Sequence, residues 1–482
     1  MGSLLSVFLF SRLLRRAEIL TDNELLELRY SGKPAAFLRA FKAGYFAILY
    51  NFIVMGWVIN AMASVVSVML NMDKWTAVWL CVIIALVYAI LSGFWGVVVT
   101  DLVQFVIAMF GSIALAIIAL NYVGGMEVLL SKLNELLGSD VVTDNTLKFI
   151  PPIPDTGVAT QTFWESPFSK FLIFISVMWW SHHGTDGGGY IIQRMSSAKN
   201  ERHALLATLW FNIAHYALRV WPWIIVAVVS IVMFPIIPSE YSELGVKAGY
   251  PLVMNTLLGP GLKGLLIVSF LAAFLSTIDT HLNWGVSYLI NDIYKRFFKP
   301  NETERHYVLV GKIMTVILMI LAAFTALKMQ SISKAWEFIF AMGAGIGLVL
   351  ILRWFWWRVN AWSEITALAT SIVITISFEI IAYFQTINNN LEYSLFGYAP
   401  SIFGMSLQVH HKLMIIVPIA IIAWITVTFF TEPEPMTKLE TFYKRVQPGG
   451  WWAPVTSSFD HTLQPVTKGI FILWLAGVMM IY

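Results

Sequence analysis

Residues 176–194 read SVMWWSHHGTDGGGYIIQR. An apolar run meets Ser181, His182, His183, Gly184, Thr185 and Asp186, then three glycines, Gly187 to Gly189. Glycine loses more backbone entropy on folding than any other residue, so three in a row hold a continuous helix poorly. The stretch therefore predicts a helix that breaks. At membrane depth a break is tolerated only where the freed backbone lines a cavity or is buried in protein, and discontinuous helices are a recurrent way of building a binding site at the midplane. Trp179 and Trp180 offer flat faces to a sugar ring, and Asp186 and the two histidines offer hydrogen bonds to hydroxyls. The competing reading is a kinked helix whose polar groups are packed and satisfied. Adjacent helical histidines point about 100° apart, which argues against a metal site built from His182, His183 and Asp186.

Composition places this run in a bilayer. Of 482 residues, 58% are apolar and only 12% charged, and the mean hydropathy is +0.73. Soluble domains carry roughly 25% charged residues. This chain cannot cover a water-facing surface, which disfavours a soluble enzyme, a disordered chain and a nucleic-acid binder. A net charge of +3 is too small to imply a polyanionic partner. Cys81 stands alone, so no disulfide forms within the chain. The apolar run at 2–11 is short and no small-residue cleavage site follows it, so no signal peptide is expected.

Runs long enough to span occur at about 43–70, 76–93, 101–122, 169–192, 205–236, 262–290, 306–327, 335–357, 362–385, 411–430 and 466–482. The expectation is an all-α polytopic membrane protein with about eleven complete spans plus a partial one at 2–11. Trp75, Trp79, Trp95, Trp451 and Trp452 sit near run ends, as in an interfacial belt. Basic residues fall in alternate connections: Arg12 to Lys42, Arg194 to Arg202, Lys295 to Arg305, Arg353 and Arg358, then Lys438 to Lys468. The positive-inside rule puts these in the cytoplasm. It leaves 123–168 as an outer loop, 431–465 as a cytoplasmic linker and Met1 on the outer side, within one transporter-like domain over 1–482.

Polar residues inside spans are expensive and so point to function. In LAAFLSTIDTHLN (271–283), Ser276, Asp279 and Thr280 share one helical face by their spacing. Hydroxyl, carboxylate and backbone oxygens suit a hard cation such as Na+. The alternative is hydroxyls bonded to their own i−4 carbonyls and Asp279 paired structurally. In SGFWGVVVTDLVQ (92–104), Thr100 and Asp101 open an apolar helix, where either would also serve as an N-cap. His215 and Arg219, four apart, share a face; Arg219 could hold a carboxylate or snorkel. Trp336 opens the 335–357 span and could reach a central cavity. No phosphate-cradling loop, nucleophile elbow or zinc-helix motif is present, which points to an ion gradient, not ATP, as the energy source and away from enzyme chemistry.

Four stretches resemble the sodium:solute symporter family, which includes sodium/sugar, sodium/proline and sialic acid carriers: 92–104; YIIQRMSSAKNERHA (190–204); AAFLSTIDTHLNWGVSYLINDIYKRF (272–297); and TEPEPMTKLETFYKRVQPGG (431–450). The resemblance implies a LeuT-type inverted-repeat helix bundle and Na+-driven uptake of a small polar solute by alternating access. The paired tryptophans with their hydroxyl-binding neighbours favour a sugar, Arg219 keeps a sugar acid as the second candidate, and the brief loops point to a bacterial cell inner membrane. It implies a main sodium site at Ala273, Ser276 and Thr277, where threonine keeps the hydroxyl of the family's serine. A second sodium site would use Asp101, Ser276 and Thr280, with Asp279 in place of a usual hydroxyl; that carboxylate would strengthen cation binding or exchange Na+ for a proton. The solute site would draw on Trp179, Trp180, Ser181, His182, His183, Asp186, His215, Arg219 and Trp336. Against the family pattern, the first core helix and the span before it are missing, so the chain as written is expected to be N-terminally truncated and defective in coupled transport, its longer parent being a symporter. A non-transporting membrane remnant or solute sensor is the alternative, and a membrane enzyme using His182, His183 and Asp186 is a third reading.

Overall fold

A computed structural model describes residues 2–19, 22–91, 94–137, 150–153, 163–329, 331–389, 400–402, 405–456, 474 and 478. The side chains of 22, 91, 94–101, 137, 190 and 193 lie outside the described residues. Long apolar runs become helices because the bilayer offers backbone groups no other partner. Seven continuous helices are long and apolar enough to cross a membrane: Gly32–Leu70, Leu102–Val123, Glu201–Met233, Pro260–Phe298, Glu304–Lys328, Ala361–Asn388 and Val409–Phe430. A bent pair, Ile332–Gly343 with Gly347–Phe355, turns by 41° and makes an eighth.

Of the other expected spans, 76–93 is the shorter apolar helix Lys74–Ile90. The span at 169–192 is broken, as its glycines predict. The span at 466–482 lies outside the described residues apart from Trp474 and Val478. The 123–168 segment is more structured than a loop, since Met126–Leu137 is an amphipathic helix that buries Leu129 and Leu133. The all-α class holds, with one antiparallel pair of two-residue strands among the described residues, Ser401–Ile402 with Met405–Ser406.

The chain forms two compact units. Unit one is Met1–Tyr45, Ser169–Ala217 and Ser333–Tyr482. Its first helical run buries Leu4, Val7, Phe10, Leu14 and Ala17, the stripe that 3.6 residues per turn dictates, against Trp354, Leu439, Phe442 and Trp452. Unit two is Phe46–Phe168 and Leu218–Ile332. Its core is alanine-rich (Ala63, Ala77, Ala85, Ala116, Ala119, Ala322, Ala323, Ala326). Small residues let helices approach closely where lipid gives no hydrophobic drive. Asn60 holds the end of Glu304–Lys328, its Nδ2 donating to Ala326 O at 2.8 Å and Met329 O at 2.9 Å.

Candidate functional site

Among the described residues, two discontinuous helices lie almost wholly in unit one. The first runs from Pro167 through a π-helical turn, Phe174–Met178, to Ser181; the chain leaves helical geometry at His182 and resumes at Gly189–Ser196. Thr185 closes the turn, its Oγ1 donating to His182 O at 2.5 Å and Trp180 O at 3.0 Å. The Gly184 N–H donates to His182 Nδ1 at 2.9 Å. Part of the polar content of this stretch therefore holds the break itself. Gly187 and Gly188 have φ of 120° and 70°, and a Cβ on Gly187 would lie 2.6 Å from Met195 Cε. Gly187→Val is expected to cost about 1–3 kcal/mol, read as a fall of several degrees in the melting temperature in detergent. An unchanged melting curve would mean that the backbone here relaxes freely.

The second break, at 344–346, packs on the first. A Cβ on Gly343 would meet the His183 ring, and one on Gly347 would meet the Trp180 and Ser181 carbonyls. The His182 ring lies edge-on to Phe340 at 5.7 Å, and Phe340 stacks on Trp336 at 5.0 Å. Trp336, Phe340 and His182 thus form a ladder across the two helices. Phe340 was not singled out in the sequence, although its i+4 spacing from Trp336 was the available signal.

The two adjacent tryptophans diverge. Trp179 is 5.2 Å from Trp474 and packs on the Trp354 cluster. Trp180 packs on the Ile173, Ala341 and Phe378 cluster, and its Nε1 donates to Ser176 O at 2.7 Å. They do not present one paired face.

Asp186 is 2% exposed and ion-paired with Arg353. Arg353 Nη1 also donates to Glu364 Oε1 at 3.1 Å, and the Tyr30 hydroxyl donates to the same oxygen at 2.6 Å. Lys42 Nζ lies 3.8 Å from Glu364. Burial, reinforced by the Glu364 carboxylate, holds the Tyr30 phenol well above its ordinary pKa. The structure therefore gives Asp186 a protein partner, as the kinked-helix alternative foresees. His215 stacks on Phe211 at 5.2 Å in unit one, while Arg219 belongs to unit two and lies 5.0 Å from the Trp223 ring centroid.

Unit two carries the second group, on Pro260–Ser287. Phe274, Ile278 and Leu282 face the core, while Ala273 is exposed and Ser276, Thr277 and Thr280 are half-buried. Thr277 Oγ1 donates to Ala273 O at 2.8 Å, the i−4 bond expected of an intrahelical hydroxyl, and its lone pairs stay available as acceptors. Asp279 is 1% exposed and accepts from Asn283 Nδ2 at 3.0 Å, so it is far more deeply buried than the hydroxyls beside it. His281 and Asn51 bond reciprocally: their side chains meet at 2.7 Å, and Asn51 Nδ2 donates to His281 O at 2.6 Å. The Asp101 side chain lies outside the described residues. Among the described residues, no group of three His, Cys, Asp or Glu could hold a metal ion.

The model of the sodium:solute symporter family matches residues 1–374. The sodium/glucose cotransporter 1 of Oryctolagus cuniculus is 25% identical over 448 residues, covering 87% of this chain and 65% of its own length. The sodium/mannose cotransporter SLC5A10 of Bos taurus is 24% identical over 366 residues, covering 71% and 59%. The sodium/glucose cotransporter of Vibrio parahaemolyticus is 22% identical over 376 residues, covering 73% and 65%. The chain thus spans less than two thirds of the length of these curated relatives. Among solved structures, a Na+-coupled sialic acid symporter in a substrate-bound outward-open state matches with a TM-score of 0.58 at 17% identity, covering 90% of this chain and 84% of that one. At that identity the likeness establishes the fold, which is of the LeuT type.

Proposed function

The chain belongs to the sodium:solute symporter family, and we propose that it serves Na+-coupled symport of a small polar organic solute, a sugar in our reading, by alternating access. Members of this family are transporters, and this chain is a multi-pass membrane protein. We read 1–482 as one transporter domain in a cell inner membrane, bacterial in setting, with 123–168 facing outward and 431–465 the cytoplasm.

The observation that carries the reading is the hydroxyl face of Pro260–Ser287. The Ala273 carbonyl, Ser276 and Thr277 stand at i, i+3 and i+4, clear of the core-facing side, and offer the oxygens a hard cation takes. The second set, Asp101, Ser276, Asp279 and Thr280, is assigned a further Na+ or a proton. The solute is assigned to the broken helix (Trp179, Trp180, Ser181, His182, His183 and Asp186), to His215 and Arg219, and to Trp336. Support for an aromatic-lined solute site is the ladder of Trp336, Phe340 and His182, against which a sugar ring can stack. The curated relatives are cotransporters of glucose and mannose, which favours a neutral sugar over a sugar acid.

The test is thermal unfolding in Na+ against K+, with a panel of neutral sugars and sugar acids. A ligand that binds only the folded state stabilises it by RT ln(1 + [L]/Kd). We expect a Na+-specific upward shift, increased further by one sugar. A curve identical in both cations, with and without each sugar, would sink the proposal.

A further inference from the structure

A charged network ties the second halves of the two broken helices together. Asp186 stands three residues before Gly189–Ser196, near that helix's N-terminus, where negative charge is favoured. Arg353 lies in the last turn of Gly347–Phe355, where positive charge is favoured. Their ion pair bridges the two helix ends, and Arg353 forks to Glu364 on Ala361–Asn388. The Asp186, Arg353 and Glu364 side chains are at most 3% exposed.

Burying such a network is a poor way to gain stability, since well-packed apolar replacements are often neutral or better. In a membrane span the cost is higher still. What it supplies is geometry. A guanidinium donates to two carboxylates only in fixed directions, so Asp186 and Glu364 are held at one spacing. The two breaks also touch directly: the Trp180 and Ser181 carbonyls abut Gly347, where the later helix resumes, and the His183 ring abuts Gly343, where its first half ends.

We infer that Arg353 is a positioning residue: through Asp186 and Glu364 it locks the two helix breaks into one element and so sets the distance between Trp180–His183 and Trp336–Phe340. The role in transport rests on the symporter reading, whereas the geometric claim does not.

The test uses the full chain with paired spin labels at Leu172→Cys and Ser333→Cys, two exposed positions on the first halves of the two helices. The native Cys81 is buried. We expect one narrow distance distribution in the parent and a broadened or two-component one in Arg353→Gln. Asp186→Asn, which keeps the side-chain shape and leaves Arg353 on Glu364, should broaden it too. Arg353→Lys keeps the charge but not the fork and should recover it only in part. In Arg353→Gln and Arg353→Lys the Na+ midpoint, titrated with Na+ alone, should stay within two-fold of the parent's, because the residues assigned to it lie in unit two. A narrow parental distribution in both Asp186→Asn and Arg353→Gln, with only a lowered melting temperature, would overturn the inference and leave the network a stability element. Absence of any Na+ response in the parent would count against the symporter reading and leave the distance result standing.

Discussion

Arg29→Ala is expected to be the most destabilising single substitution in unit one, at about 3–5 kcal/mol, as when one partner of a buried charged group is removed. The Arg29 guanidinium is fully buried and donates to four carbonyls: Arg353 O at 2.9 Å, Trp356 O at 3.1 Å, Trp357 O at 3.0 Å and Val359 O at 2.9 Å. These are the orphan acceptors at the C-terminal end of Gly347–Phe355 and the turn beyond it. The tyrosine, phenylalanine and tryptophan rings of Tyr30, Phe442 and Trp452 pack around the cation at 5.1–5.5 Å. Burial lowers the Arg29 pKa from its ordinary value, yet the charged form remains at any physiological pH. Truncation would take the guanidinium donors from four carbonyls, of which Trp356 O keeps the Val359 N–H at 3.3 Å, and open a guanidinium-sized hole between the aromatic rings. Arg29→Lys should recover little, because an ammonium on a flexible stem cannot reproduce the planar fork. The measurement is the melting temperature and the monodisperse fraction in detergent. An Arg29→Ala protein that melts within about two degrees of the parent, well under the shift expected for several kcal/mol, would refute this account of how the helix end is held.

The helices were legible because a span needs a long apolar run and this chain has many. The first break was legible because Gly187 and Gly188 require left-handed backbone that side chains resist. The second break, at 344–346, was not, because Gly343, Gly345 and Gly347 alternate with apolar residues inside what reads as one continuous span. The partner of Asp186 was also hidden. Arg353 is 167 residues away and counted in the sequence as one more cytoplasmic-side charge, while Glu364 looked like an ordinary first-turn acid. Periodicity places residues on a face but does not say which neighbour that face meets. The same limit explains Trp179 and Trp180, which sequence reads as a pair and which successive helical positions send to different clusters.

Removing the two hydroxyls of the proposed main cation set, Ser276→Ala with Thr277→Val, is expected to raise the Na+ midpoint at least ~100-fold, since each hydrogen-bonding or ligating contact to a charged partner contributes about 1.5–3 kcal/mol and 1.4 kcal/mol is tenfold. Folding should change little. Both side chains are half-buried, and the Ala273 carbonyl that Thr277 Oγ1 contacts at 2.8 Å also takes a helix N–H. Thr277→Ser keeps the oxygen and should stay near the parent, which separates ligation from packing. The readout is the Na+ dependence of thermal stability, followed by Na+-driven uptake in reconstituted vesicles. A double variant whose midpoint stays within about three-fold of the parent, a difference worth under 1 kcal/mol, would remove Ser276 and Thr277 from the cation site. Asp279→Asn sorts the second set, because Asp279 is buried and bonded to Asn283, apart from the half-buried hydroxyls. If its carboxylate carries a proton, the variant should flatten the pH profile of uptake at unchanged Na+ midpoint. If it binds a second Na+, the variant should lower the steepness of the Na+ dependence at every pH. A variant that changes neither quantity would leave Asp279 a structural group, held in part by Asn283, and would take it out of the proposed cation sites.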